Sequence, residues 1–320
     1  MSRGKANSRL DTYGRRINYL RMSITDLCNL RCFYCMPNGV INKLNHKDVL
    51  SHEEMVEVAG AAAVVGIDKI RITGGEPLVK KNIVSLIERI AGIDGVENVV
   101  MTTNGIRLAE YAKELRKVGL KRINVSLDSL DAETFARITR GGELKKVIDG
   151  IDRALEVGFP IKINTVLLQD VNTDRLYDFI QFCKSRDIGV RFIERMGFNE
   201  QKPLFAEEDA VAQLAVGHDI KPTSFSLEHP HVRRFLCDGV RVGFISPMTH
   251  SFCSGCNKLR LTPEGQLRMC LASDDHVDMR SVLRRPHTQQ DVEAAILSAI
   301  AQKPEAAPWN TPGQMWKIGG

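Results

Sequence analysis

The chain has no apolar run long enough to span a bilayer or to form the hydrophobic stretch of a secretion signal, so no membrane role is expected. Aromatic residues are scarce, at 6%, and the net charge is only +5. A basic stripe with interleaved aromatics, the usual footprint of a nucleic-acid binder, is therefore missing. No internal repeat or low-complexity linker interrupts the 320 residues. The first ten residues are basic and lack acids, but so short a stretch does not make a transit peptide. A reducing cytoplasm is the expected compartment. What is present, 43% hydrophobic residues and a quarter charged, suffices for one large α/β domain with an appendage.

Eight cysteines would suggest disulfides in a secreted chain, yet six fall into two sets of three. The first set is Cys28-Asn-Leu-Arg-Cys32-Phe-Tyr-Cys35. An iron–sulfur cube needs four ligands to be closed, and this loop supplies three thiolates. Three ligands and a vacancy are how a catalytic metal keeps room for a substrate. A zinc site is the alternative, although zinc knuckles favour paired C-x2-C units. The second set is Cys253, Cys256 and Cys270. Between them Lys258–Thr262 and Gln266–Cys270 alternate around a Pro-Glu-Gly turn, which predicts a β-hairpin. Pairing Thr262 with Gln266 puts Cys256, Lys258, Arg260, Arg268 and Cys270 on one face. Leu259, Leu261, Leu267 and Met269 then occupy the other.

The middle of the chain alternates strand and helix patterns. Strands are expected at Ile17–Thr25 and near Lys69–Thr73, Val96–Thr103, Lys121–Asp128, Pro160–Leu167 and Ile188–Met196. Ser51-His-Glu-Glu54 is a capping box, and Met55, Val58, Ala59, Ala62 and Val65 form a helical stripe stopped by Gly66. Six strands alternating with helices predict a partial (β/α)6 barrel, open on one side, over residues 15–198. Residues 199–320 read as an extension of hairpins and terminal helices that closes the open side. Strands buried on both faces normally read as continuous apolar runs. Here Arg21, Ser23 and Thr25 share a polar face, as do Lys69, Arg71 and Thr73, then Asn124, Ser126 and Asp128, then Lys162 and Asn164. Those faces point into the barrel, where buried cations call for an anion such as a triphosphate.

The C-x3-C-x2-C loop resembles the radical S-adenosylmethionine enzymes, whose fold is a partial barrel of this kind. With the second cysteine set, Arg71-Ile-Thr-Gly-Gly-Glu-Pro77, Thr102-Thr-Asn-Gly105, Asn124-Val-Ser-Leu-Asp128, Arg191-Phe-Ile-Glu194 and the Ile318-Gly319-Gly320 end, it resembles the GTP 3′,8-cyclases of molybdenum cofactor biosynthesis. The likeness runs from about Arg15 to the last residue. It implies two [4Fe–4S] clusters, one on Cys28, Cys32 and Cys35 and the other on Cys253, Cys256 and Cys270. S-adenosyl-L-methionine would lie against Tyr34, Gly74, Gly75, Glu76, Ser126 and Met196. GTP would be held by Arg21, Lys69, Arg71, Thr102, Lys162 and Arg191, and beside the second cluster by Lys258, Leu259 and Arg260. Arg191 does not share a simple alternation with Met196, so a bulge or strand end is needed between them. The family often carries Arg at the position of Lys258, so the charge is kept and the bidentate fork is lost.

The implied reaction begins when a 5′-deoxyadenosyl radical removes hydrogen from C3′ of GTP. The C3′ radical then attacks C8, and reduction gives (8S)-3′,8-cyclo-7,8-dihydroguanosine 5′-triphosphate. Gly319 and Gly320 would reach into the active site. An electron donor is required, the product would pass to a cyclic pyranopterin monophosphate synthase, and a homodimer is left open. Two alternatives remain at this stage: a radical enzyme maturing a peptide or sugar, and a two-cluster electron-transfer protein. Cys183 falls on the buried face of a helical stripe and Cys237 precedes a hairpin turn, and neither is assigned a function.

Overall fold

The computed structural model describes residues 10–37, 39, 43–196, 203–223 and 232–309. The alternating segments form β1 (Tyr19–Ser23), β2 (Lys69–Thr73), β3 (Asn98–Thr103), β4 (Arg122–Ser126), β5 (Ile161–Leu167) and β6 (Gly189–Glu194). Between them run α1 (His52–Val64), α2 (Ile83–Ala91), α3 (Leu108–Lys117), α4 (Ala132–Thr139), α5 (Leu144–Glu156) and α6 (Leu176–Lys184). Then come α7 (Glu207–Leu214), β7 (Ile220–Pro222), β8 (Arg233–Cys237), β9 (Val240–Ile245), β10 (Lys258–Leu261), β11 (Gln266–Arg268), β12 (His276–Asp278), α8 (Met279–Leu283) and α9 (Gln289–Ala301). The capping box starts α1 as expected. Ser51 N–H donates to Glu54 at 2.7 Å, and the Ser51 hydroxyl accepts from Glu54 N–H at 3.2 Å. Gly66 ends the turn with φ of 99°, a conformation that favours glycine. Among the described residues no helix is long and apolar enough to cross a membrane.

Among the described residues all twelve strands make one open sheet, in the order β12-β11-β10-β1-β2-β3-β4-β5-β6-β9-β8-β7. The alternation is resolved as expected. Leu20, Met22, Ile70, Ile72, Ile123, Val125, Ile163 and Phe192 are buried in the apolar core. Each such side chain contributes about 1.5–3 kcal/mol of burial free energy. The opposite faces carry the polar residues and point to a common interior.

The extension was expected to close the barrel's open side. Instead it lengthens the sheet at both ends and leaves it open. β10 pairs with β1 in parallel, Tyr19 beside Lys258 and Arg21 beside Arg260. β9 pairs with β6 in parallel, Arg191 beside Gly243. A hairpin pattern specifies its own turn and register, but not the distant strand whose exposed edge it will satisfy. The register of the cysteine hairpin is the expected one. Arg260 faces Arg268, Leu261 faces Leu267, and Thr262 N–H donates to the Gln266 carbonyl at 2.9 Å.

Candidate active site

Both cysteine sets open onto one cavity of about 400 Å³. All six thiols are free and partly exposed. The first set follows the end of β1, and the second flanks β10 and β11 in the same sheet. Among the described residues, no three His, Cys, Asp or Glu side chains converge tightly enough to hold a single metal ion. A cluster presents separate iron corners to its ligands, and two triads of free thiols fit that requirement.

Around the first triad the wall is acidic and neutral. Tyr34 donates its hydroxyl to Asp128 at 2.6 Å, and Asp128 also accepts from Val166 N–H at 2.8 Å. Burial pushes the Asp128 carboxyl up to about 6. Glu76 accepts from Thr103 at 2.6 Å, from Asn104 N–H at 2.7 Å and from Leu78 N–H at 3.0 Å. Burial pushes Glu76 up to about 7 against those three bonds. Burial likewise raises Cys28 to about 11 and Cys35 to about 12, and Cys32 still further, with Asp128 adding to the rise at the last two. Gly74 and Gly75 line the cavity, but what presses on them is the chain itself. A Cβ on Gly75 would stand 2.3 Å from the Leu27 carbonyl oxygen, and one on Gly74 2.9 Å from that of Thr25. Gly75 N–H donates to the Thr25 carbonyl at 2.7 Å and Glu76 N–H to that of Leu27 at 2.8 Å. The glycines thus lock the cysteine loop to the end of β2.

The cavity floor is cationic. Arg71, 4% exposed, donates from Nε to the Tyr19 hydroxyl and from Nη1 to the Thr102 hydroxyl at 2.9 Å. Burial, then the neighbouring Arg260, lowers Arg21 to about 9. Burial, then Arg71, lowers Arg191 to about 10. Burial opposes ionisation of the Tyr19 phenol, but Arg71 and Arg21 outweigh it and bring Tyr19 down to about 7. These groups crowd like charges together out of water, an arrangement favourable only with an anion among them. A donor awaiting a partner supports the same view: Arg260 Nη1 lines the cavity, buried and unbonded among the described residues. Asn124 Oδ1 and Asn164 Oδ1, also buried and unbonded in that wall, are acceptors and call instead for a ligand N–H or O–H.

Three expected contacts do not reach the cavity wall. Lys69 and Lys162 sit on the expected faces of β2 and β5 without lining the cavity themselves, and Lys69 stands over the Tyr19 ring at 4.9 Å. Burial holds both amines down, Lys162 to about 7. The Leu259 side chain is in the apolar core, because alternation turns it away from Lys258 and Arg260. Met196 lines the cavity just beyond the end of β6, so the strand end supplies the break in alternation that Arg191 requires. Gly319 and Gly320 lie outside the described residues. Cys183 and Cys237 are fully buried, in keeping with structural thiols. Tyr19 was missed, although it shares a strand face with Arg21 and Ser23. So was Lys303, which no periodicity marks.

Comparison with known proteins completes the picture. Residues 22–183 match the radical SAM superfamily, and residues 188–309 match the molybdenum cofactor synthesis C family. A GTP 3′,8-cyclase of Peptoclostridium acidaminophilum is 44% identical over 97% of this chain and 98% of its own. The chain belongs to the GTP 3′,8-cyclase family. A second GTP 3′,8-cyclase, from Alkaliphilus oremlandii, is 43% identical over 92% of this chain and 93% of its own. Among solved structures, Streptococcus suis SuiB bound to S-adenosylmethionine superposes with a TM-score of 0.62 at 16% identity. That match covers 90% of this chain and 66% of SuiB, and it establishes the open radical SAM fold. Membership of the cyclase family brings S-adenosylmethionine and two [4Fe–4S] clusters as cofactors, and the two free thiol triads suit them.

Proposed function

We propose that the chain is a GTP 3′,8-cyclase, of the lyase class, which converts GTP to (8S)-3′,8-cyclo-7,8-dihydroguanosine 5′-triphosphate at the start of molybdenum cofactor biosynthesis. The observation that carries the reading is a single cavity with a thiol triad at either side and a floor of buried arginines. Cys28, Cys32 and Cys35 would hold one cluster, and Cys253, Cys256 and Cys270 the other. When bound, the first cluster and S-adenosylmethionine supply the one-electron chemistry that takes hydrogen from C3′ of the ribose. The chain's own residues do the positioning. Tyr34, the Gly74-Gly75-Glu76 turn, Ser126 and Met196, all in the cavity wall, border S-adenosylmethionine. Arg21, Arg71 and Arg191 take the triphosphate, and Thr102 steadies Arg71 through its hydroxyl. Lys258 and Arg260 border the purine end beside the second triad. Lys69 and Lys162 adjoin this floor without lining the cavity and act on the phosphates through charge. Fixing the nucleotide at both ends leaves C3′ and C8 little freedom, the entropy advantage that a reactive radical requires.

The proposed division of labour follows the chain: residues 15–198 carry the radical chemistry, and residues 199–320 carry the second cluster and the diglycine end. The setting is the cytoplasm, with an external electron donor, a cyclic pyranopterin monophosphate synthase consuming the product, and self-association as a homodimer. Anaerobic turnover tests the reading. Reconstituted enzyme with dithionite, S-adenosylmethionine and GTP is expected to give 5′-deoxyadenosine and the cyclised nucleotide by mass spectrometry. Deoxyadenosine without a GTP-derived product would refute GTP as the substrate. Deleting Gly319 and Gly320 is expected to abolish cyclisation while iron content stays unchanged, and normal turnover would remove the tail from the mechanism.

A further inference from the structure

One buried cation beside the second thiol triad takes no part in lining the cavity. Lys303 follows α9 and is 3% exposed, yet it is absent from the cavity wall. Its ammonium donates to the carbonyl oxygen of Lys258 at 3.0 Å and to that of Met269 at 2.5 Å. These acceptors lie two residues from Cys256 and next to Cys270, on the two arms of the cysteine hairpin. Among the described residues no carboxylate pairs with Lys303. The segment is fixed in place. Arg15, buried and paired with Asp11 at 2.5 Å, donates to the carbonyls of Cys253 at 2.9 Å, Pro304 at 2.7 Å and Glu305 at 3.0 Å.

An ammonium buried this deeply is strongly unfavourable without a negative partner, and two carbonyl dipoles offset only part of that cost. The neighbouring groups able to supply the charge are the thiols. Lys258 and Arg260 differ in facing the cavity, where a triphosphate nucleotide competes for their charge.

We propose that Lys303 is the counter-cation of the second iron–sulfur cluster, placed behind it to stabilise its reduced form and so hold its reduction potential up. This rests on reading Cys253, Cys256 and Cys270 as a cluster site. Three thiolates already bring negative charge, and reduction adds one more. A fixed cation bonded to the backbone of both hairpin arms in a poorly screened interior therefore favours the reduced state. Because Lys303 stands outside the cavity, its influence persists whether or not nucleotide is bound.

The test uses the full chain carrying Cys28→Ser, Cys32→Ser and Cys35→Ser, so that only the second cluster can be loaded. Iron is counted, and the midpoint is read by a redox titration followed by electron paramagnetic resonance. Lys303→Met is expected to lower the midpoint by about a tenfold change in the one-electron equilibrium, ~59 mV, and Lys303→Arg to restore it. An unchanged midpoint at full iron content in Lys303→Met overturns the proposal. If that variant fails to load, Lys303→Gln keeps the N–H donors without the charge and is judged by the same criterion. Loss of cluster in both uncharged variants but not in Lys303→Arg also supports the charge requirement. Loss in all three overturns it in favour of a steric role. A parent chain that binds no iron refutes the cluster site itself, and this inference with it.

Discussion

The two thiol triads share a spacing logic and a cavity, but their surroundings are electrically opposite. Beside Cys28, Cys32 and Cys35 stand Glu76 and Asp128, and the thiols are driven up first by burial and then by neighbouring negative charge. Beside Cys256 stand Lys303, Lys258 and Arg260, which overcome burial and bring that thiol down to about 7. Burial still raises Cys270, so what differs between the two ends is the charge of the neighbours, carboxylates at one and cations at the other. The difference suits a division in which the first site is the stronger reductant and the second secures an anionic nucleotide.

The sharpest way to break that comparison is to remove one ligand from each side. Cys32→Ser is expected to abolish S-adenosylmethionine cleavage. Cys270→Ser should retain cleavage and lose all cyclised nucleotide, both read by mass spectrometry. Equal behaviour of the two variants would erase the division. A smaller effect is expected from Arg71→Ala, which removes a buried cation from the floor between the triads. Its loss should raise KM for GTP about tenfold to hundredfold, as for a charged hydrogen-bond donor. An unchanged KM would place the phosphates elsewhere. Smaller again is Asp128→Asn, which keeps the shape and withdraws a negative charge from the acidic side. The first cluster's midpoint should rise, opposite in sign to the change at Lys303, and a fall would contradict the polarity assigned here. Leu259→Ala should leave KM for GTP within about twofold while costing about 2–5 kcal/mol of stability, because its side chain belongs to the core. A large KM change with little loss in thermal unfolding would return Leu259 to the nucleotide.

Alternation along each strand made much of this site legible. It told which face of β1, β2, β4 and β5 would turn inward, because side chains in a strand point to opposite sides with period two. It could not tell height within the barrel, which is why Lys69 and Lys162 were grouped with Arg71 although only Arg71 reaches the wall. The cysteine spacing was legible for a different reason: a short loop leaves its ligands little choice of neighbour. The seam between β1 and β10 was hidden, since nothing local in either strand names the other. Lys303 was hidden more completely. It lies outside any periodic segment, and its partners are backbone carbonyls that every residue possesses.

That seam also bears on how the enzyme is made. Asn18 and Asn257, bonded at 2.9 Å beside the β1–β10 pairing, are 239 residues apart in the chain. A ribosome must therefore release most of the polypeptide before β1 can acquire its second neighbour. Until then β1 presents a bare row of backbone donors and acceptors, and β6 does the same until β9 emerges. Non-local pairing of this kind slows folding and leaves sticky intermediates exposed. Synthesis halted near residue 200 should yield an aggregation-prone fragment that depends on chaperones, even though the loop of the first thiol triad and the strands of Arg21, Arg71 and Arg191 have already been translated.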